Sequence, residues 1–118
     1  MFLTPEQLRE LRENLEALRS ELTSTVADSA AATRPVSLDE PIGRLSRMDA
    51  MQQQSMAQAN RRASIARLGQ VDSALGRLER GVYGRCLGCD EDVAWARLKA
   101  RPEAFLCIRC QREQELEG

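Results

Sequence analysis

Leucines recur every three or four residues near the start of the chain, which predicts an amphipathic helix. The helix is expected to begin at Thr4, because Thr4 and Gln7 form a capping-box pattern and Pro5 suits the first helical position. Such a row is typical of a helix on a globular core or of a two-helix coiled coil, and its unbroken leucines favour the coiled coil. The row consists of Leu8, Leu11, Leu15, Leu18 and Leu22, continued by Val26.

A second long helix is predicted between Pro41 and Arg80, because Pro35 interrupts the first pattern and nothing in residues 42–80 obliges a break. Gly81 is the expected C-cap. The helix carries a row in each half: Leu68, Val71, Leu75, Leu78 and Val82 near its end, and a weaker row of Met48, Met51, Met56, Ala59, Ala63 and Ala66 near its start. Two such helices predict an antiparallel hairpin over residues 1–80, with its tip near residues 34–50.

Four cysteines lie in two C-x2-C pairs separated by 17 residues: Cys86, Cys89, Cys107 and Cys110. This spacing is typical of a zinc site. Zn(II) binds four thiolates in a tetrahedron, and four protein ligands leave no open position for water or substrate. We therefore expect one structural zinc ion per chain.

Three other interpretations of the cysteines stay open from the residues alone: two disulfides, an iron site with the same ligands, and a thioredoxin-type redox pair. Zinc is favoured because cytosolic disulfides are rare and no βαβ pattern accompanies the cysteines. The segment from Tyr83 onward, about 35 residues, is also too short to fold on its own core. Within it, Asp92 predicts the cap of a short helix over residues 93–99, and residues 111–116 predict a terminal helix.

The fold class that follows is mainly α. A long antiparallel helical hairpin, or coiled coil, over residues 1–80 is joined to a small four-cysteine zinc-finger module with a short C-terminal helix over residues 81–118.

Composition excludes several classes of function. The chain of 118 residues has a net charge of -1 and no histidine. A charge near zero argues against bulk DNA binding, and the lack of histidine excludes Ser-His-Asp triads and histidine-ligated metals. With no phosphate-cradling loop either, we expect no enzyme. No apolar run approaches the ~20 residues of a membrane helix, and the first residues do not resemble a signal peptide, so we expect a cytoplasmic protein.

Three runs of sequence surround the cysteines: Tyr83-Gly84-Arg85-Cys86-Leu87-Gly88-Cys89, Arg97-Leu98-Lys99-Ala100-Arg101-Pro102 and Leu106-Cys107-Ile108-Arg109-Cys110-Gln111. Together they resemble the DksA/TraR zinc-finger family. The resemblance implies a bacterial transcription regulator, expected to be monomeric, that binds RNA polymerase directly rather than a DNA sequence. It implies that the coiled coil enters the polymerase's secondary channel, and that the tip lies near the active site and modulates promoter complexes.

The tip motif of that family, D-x-x-D-x-A, is only partly present. In the nearest stretch, residues 46–51, Asp49 matches the second acidic position, while Ser46 and Met51 replace the first Asp and the Ala. The other interpretation of Asp49 is an ordinary solvated helix residue. The candidate tip residues are Asp49, Ser46, Arg47, Met48, Ala50, Asp39 and Glu40.

Longer members of the family help to bind ppGpp through basic residues. The corresponding region here has Ala63, Gln70 and Gln111, which makes a ppGpp site the less favoured alternative. The alternative to polymerase binding is a structural or adaptor protein whose coiled coil pairs with a partner helix.

Overall fold

The computed structural model describes residues 3–30 and 44–117, and these residues form four helices. No strand occurs within these ranges, although the backbones of Arg85 and Asp92 form an isolated antiparallel β-bridge. The mainly α fold class is confirmed. Most of the predicted tip, including Asp39 and Glu40, lies outside the described residues. The helices are α1 (Pro5–Ser29), α2 (Arg44–Arg80), α3 (Trp95–Ala100) and α4 (Ile108–Glu117).

The predicted capping box begins α1. The Thr4 N–H donates to Gln7 Oε1 at 2.9 Å, and the Gln7 N–H donates to Thr4 Oγ1 at 3.0 Å. Each side chain thus accepts from a backbone N–H group at the helix start that lacks an intrahelical partner. The start of α1 is therefore fixed by local sequence.

The chain divides into two compact units, residues 1–20 with 69–118 and residues 21–68. In the first unit the start of α1 and the end of α2 run antiparallel, because Arg19 pairs with Asp72 while Leu8 and Leu78 line one cavity. The apolar core there is fully buried and consists of Leu11, Leu15, Val71 and Ala74, together with Val93 and Leu98 from the cysteine-containing segment.

Two predictions about the end of α2 and the start of α3 are wrong. Val82 does not continue the apolar row but is 46% exposed, because the chain turns at Gly81 with a left-handed φ of 74°. Gly81 itself caps α2 as expected, and its N–H donates to the Leu78 carbonyl. The predicted cap Asp92 does not cap α3: its backbone forms an isolated β-bridge with Arg85, and Ala94 takes the N-cap position without a side-chain hydrogen bond.

The second unit, residues 21–68, contains the end of α1 and the first part of α2. Leu22 is buried there, as the leucine row predicts. The predicted methionine and alanine row of α2 is exposed, however, and it does not form the packed face. Half-buried positions on this part of α2 are instead largely polar and include Gln58 and Arg61, and the Nε atom of Arg61 is itself buried. In the part of the chain that the structure describes, no helix combines the length and apolarity needed to cross a membrane.

Candidate metal centre

The first cysteine pair lies on a loop closed by three backbone hydrogen bonds. The Cys86 N–H donates to the Glu91 carbonyl at 2.8 Å, the Asp90 N–H to the Cys86 carbonyl at 2.9 Å, and the Val93 N–H to the Gly84 carbonyl at 2.8 Å. Gly84 has a left-handed φ of 93°, which glycine adopts without steric cost. The loop therefore holds Cys86 and Cys89 at one tight turn.

The second cysteine pair lies at the start of α4. Cys107 directly precedes the helix, Cys110 is in its first turn, and the Gln111 N–H donates to the Cys107 carbonyl at 2.9 Å. The terminal helix is predicted over residues 111–116, and α4 begins three residues earlier. A helical turn thus sets the spacing of this pair, whereas a closed loop sets the spacing of the first.

Three hydrogen bonds hold the segment between α3 and the second pair. The Tyr83 hydroxyl donates to the Pro102 carbonyl at 2.8 Å and the Leu87 N–H to the Phe105 carbonyl at 2.8 Å. Arg97 Nε donates to the Leu106 carbonyl at 2.9 Å. These contacts bring residues before Cys107 alongside the first pair.

The four cysteine sulfurs converge on one point. All four Sγ atoms lie within 4.8 Å of one another, and those of Cys89 and Cys107 are 3.8 Å apart. Tetrahedral zinc with bonds of about 2.3 Å separates its sulfur ligands by about 3.8 Å, so the cluster fits one zinc ion. The cysteines are free rather than disulfide-bonded. Cys86, Cys89, Cys107 and Cys110 would hold the ion, and four thiolates give it a structural and not a catalytic role.

Hydrogen bonds give the thiols unequal acidity. Burial opposes ionisation of Cys86, but backbone donors at Cys107, Cys89 and Gly88 outweigh it and lower the pKa of Cys86 to about 6. The hydrogen bond from the Cys110 thiol to Cys86 raises the pKa of Cys110 to about 12. The Cys86 thiol therefore ionises at a lower pH than the Cys110 thiol. Zinc binding displaces the remaining protons.

Gly88 and Arg109 contact the cluster from outside. A Cβ at position 88 would lie 3.1 Å from Cys110 Sγ, so the glycine allows the two pairs to approach closely. The exposed Arg109 hydrogen-bonds Cys89, which raises the pKa of Arg109 and places a positive charge beside the thiolates. The sequence interpretation did not identify Arg109 or Arg97 as important for the site. Position 109 between two cysteines was the only available signal for Arg109.

Five of the predicted tip residues, at positions 46–50, are on the part of α2 that belongs to the second unit. Arg47, Met48 and Asp49 are exposed, and Ala50 is half-buried. Ser46 belongs to the first turn of α2. Their role in binding a partner stays a prediction.

Two of the positions considered for ppGpp come together. Gln70 and Gln111 line one polar cavity of about 430 Å³, which Arg97 and Glu115 also line. Ala63, the third position, is exposed on α2 in the other unit. The cavity wall carries both positive and negative side chains.

The helices and the four-sulfur cluster define a small zinc-finger protein of the four-cysteine class. Residues 81–116 match the prokaryotic dksA/traR C4-type zinc finger. An uncharacterized protein from Aquifex aeolicus is 42% identical over 54 residues, which are 46% of this chain and 37% of that protein.

Other similarities extend over nearly the whole chain. The RNA polymerase-binding transcription factor DksA of Escherichia coli is 28% identical over 128 residues, covering 99% of this chain and 80% of that protein. The structure of transcription factor DksA2 from Pseudomonas aeruginosa superposes with a TM-score of 0.75 at 28% identity, covering 98% of this chain and 88% of that one. An RNA polymerase binding protein from Chlamydia trachomatis, 21% identical with a TM-score of 0.61, shares the fold over 98% of this chain and 94% of that one. Residues 81–116 are thus a zinc finger of the dksA/traR C4 type, whose four cysteines fit structural zinc, and the likeness to DksA proteins extends over nearly the whole chain.

Proposed function

We propose that this protein is a bacterial transcription regulator that binds RNA polymerase directly. The observation that carries the proposal is the extent of the likeness to the Escherichia coli polymerase-binding factor, which covers 99% of this chain. A likeness confined to the zinc finger would suggest only a shared metal module. Here it includes both long helices as well.

In this proposal residues 1–80 form a hairpin that enters the secondary channel of the polymerase. Its tip, near residues 34–50, lies close to the active site, and residues 81–118 form the zinc module. Asp49 is the first candidate for tip contact, since it is acidic and exposed and lies near the start of α2. The carboxylate would act on the polymerase's active-site region and alter the stability of promoter complexes.

The proposed regulator is not an enzyme and does not read DNA sequence. Four thiolates saturate the zinc ion, so substrate has no open coordination position. A net charge of -1 offers little attraction to phosphates. We further propose that the protein acts as a cytoplasmic monomer and does not need ppGpp.

The adaptor interpretation is the second candidate. It draws support from exposed apolar side chains on α2, namely Met48, Met51, Met56 and Ile65. Against it, Leu11 and Leu15 of the predicted seam are fully buried within the chain's own first unit and so are closed to a partner helix.

The deciding experiment mixes purified, zinc-loaded protein with purified bacterial RNA polymerase. We expect co-elution with the polymerase and a changed transcript yield from a ribosomal promoter in vitro. The matched control is a Cys107→Ser variant, which lacks one proposed zinc ligand and which we expect to keep the long helices. Wild-type protein that neither co-elutes nor changes transcription would refute the proposal, and capture of a coiled-coil protein instead would favour the adaptor.

A further inference from the structure

We infer that Arg97 is a positioning residue for the zinc site: its guanidinium fixes the second cysteine pair by holding the carbonyl of Leu106. Arg97 Nε donates to that oxygen at 2.9 Å, and Leu106 directly precedes Cys107. Arg97 does not touch a sulfur. It acts through the backbone that carries a proposed zinc ligand.

The bond from Arg97 is the last of three that set the path of the chain into Cys107. Tyr83 holds the carbonyl of Pro102, and Leu87, which lies between the first two cysteines, holds that of Phe105. The Leu87 hydrogen bond holds the backbone at Phe105 beside the first cysteine pair. The Arg97 bond, one residue later, sets the orientation of the last peptide before Cys107.

Both ends of the Arg97 bond are anchored. Leu98, the next residue on α3, is fully buried, and Leu106 is itself 8% exposed. The guanidinium is planar, so its Nε–H has a fixed direction, and a charged donor makes a stronger hydrogen bond than a neutral one. An anchored, directional bond limits rotation of the Leu106–Cys107 peptide.

This restraint bears on metal retention. Zinc requires four sulfurs in a tetrahedron, and residues that orient ligands change metal affinity by about 10- to 100-fold. Because Arg97 acts on the peptide before the ligand rather than on the sulfur, we expect the lower end. Without the guanidinium, zinc should leave the site about 10-fold faster.

The test measures zinc transfer from the full-length, zinc-loaded protein to a chromogenic chelator. Arg97→Ala should release zinc about 10-fold faster than wild type, and Arg97→Lys should fall between the two, since lysine keeps a donor without the planar geometry. The matched control is Arg101→Ala, which removes an exposed arginine just after α3 and should match wild type.

A spectroscopic measurement separates positioning from general destabilisation. In cobalt-substituted protein the ligand-field bands report the geometry of the four thiolates, and they should shift in Arg97→Ala but not in Arg101→Ala. Release rates for these two variants that agree within about twofold, or an unchanged cobalt spectrum in Arg97→Ala, would overturn the inference. If Arg97→Ala does not fold, Arg97→Lys decides: faster release and a shifted spectrum support the inference, and wild-type values overturn it.

Discussion

Arg19 of α1 and Asp72 of α2 are joined by a 2.6 Å hydrogen bond from the arginine Nε to a carboxylate oxygen. Asp72 follows the fully buried Val71, so the ion pair lies at the edge of the apolar core of the first unit. About half of each side chain is exposed, 55% and 49% respectively. Water therefore screens the attraction, and the pair adds little to stability.

Asp72→Asn should lower the free energy of unfolding by only about 0.2–1 kcal/mol, because exposed ion pairs contribute little. Urea denaturation followed by circular dichroism measures the change. A double-mutant cycle with Arg19→Gln isolates the pairwise energy. A coupling well above this range would show that solvent does not screen the pair.

Leu15→Ala should cost about 2–5 kcal/mol, because it leaves a cavity at a fully buried position. The neighbouring Glu16 is exposed, so Glu16→Ala is the matched control and should stay within about 0.5 kcal/mol of wild type. Thermal and urea unfolding give both values. Equal stability of the two variants would contradict the assignment of Leu15 to the core.

Cys107→Ser should abolish stable zinc binding and unfold the small zinc module, since the binding energy of structural zinc is also folding energy. The wild-type protein should contain one zinc ion per chain by elemental analysis. Circular dichroism of the variant should retain much of the signal of α1 and α2. Wild-type protein purified under reducing conditions without zinc would contradict the metal assignment.

Tyr83 should make the protein less stable at alkaline pH. Burial is the main cause that raises the pKa of Tyr83, so the folded state favours the neutral phenol. Its contribution is complete below the ordinary tyrosine pKa of about 10 and is lost as the pH rises above that value. In melts of the zinc-loaded protein between pH 8 and 11, wild type should lose stability more steeply above pH 10 than Tyr83→Phe.

The Tyr83→Phe variant should also be less stable than wild type at neutral pH. Tyr83→Phe removes the donor to the Pro102 carbonyl, which should lower stability by about 1–3 kcal/mol there. The two stability curves should therefore converge as the pH rises. Curves that stay parallel would show that Tyr83 ionisation is not linked to folding.

Asp49→Ala should separate folding from regulation. Asp49 is exposed, so zinc content and helicity should not change and stability should stay within about 0.5 kcal/mol. The effect on a ribosomal promoter in vitro should be lost, while binding to polymerase largely persists. Glu13→Ala, which removes an exposed acid from α1, is the control and should regulate normally. If Asp49→Ala regulates as wild type does, Ser46, Asp39 and Glu40 become the next candidates.

Features determined by neighbouring residues were predictable from the sequence. The Thr4–Gln7 capping box and the Gly81 cap depend on local backbone geometry, and the C-x2-C spacing allows two sulfurs to reach one ion. The leucine row of α1 also identified its buried face, because large apolar side chains at helical spacing have little alternative to burial.

Features that depend on the partner of a residue were not predictable. The methionine and alanine row of α2 has helical spacing, yet spacing does not show whether a facing element is available to cover it. Asp92 has the chemistry of a cap, but the closed loop of the first cysteine pair places its backbone in a β-bridge with Arg85. The hydrogen bond from Arg97 to the Leu106 carbonyl joins residues nine positions apart, and no local sequence motif predicts it.

The last helix has a consequence for how the protein is attacked by proteases. Among its described residues α4 buries none, and Leu116 is 89% exposed. With no side chain in a core, α4 depends for its order on the zinc-held pair at its first turn. Proteolytic cleavage within α4 should therefore become faster as zinc is withdrawn, while the core around Leu15 is still folded. The rate of digestion would then report how much of the protein carries zinc.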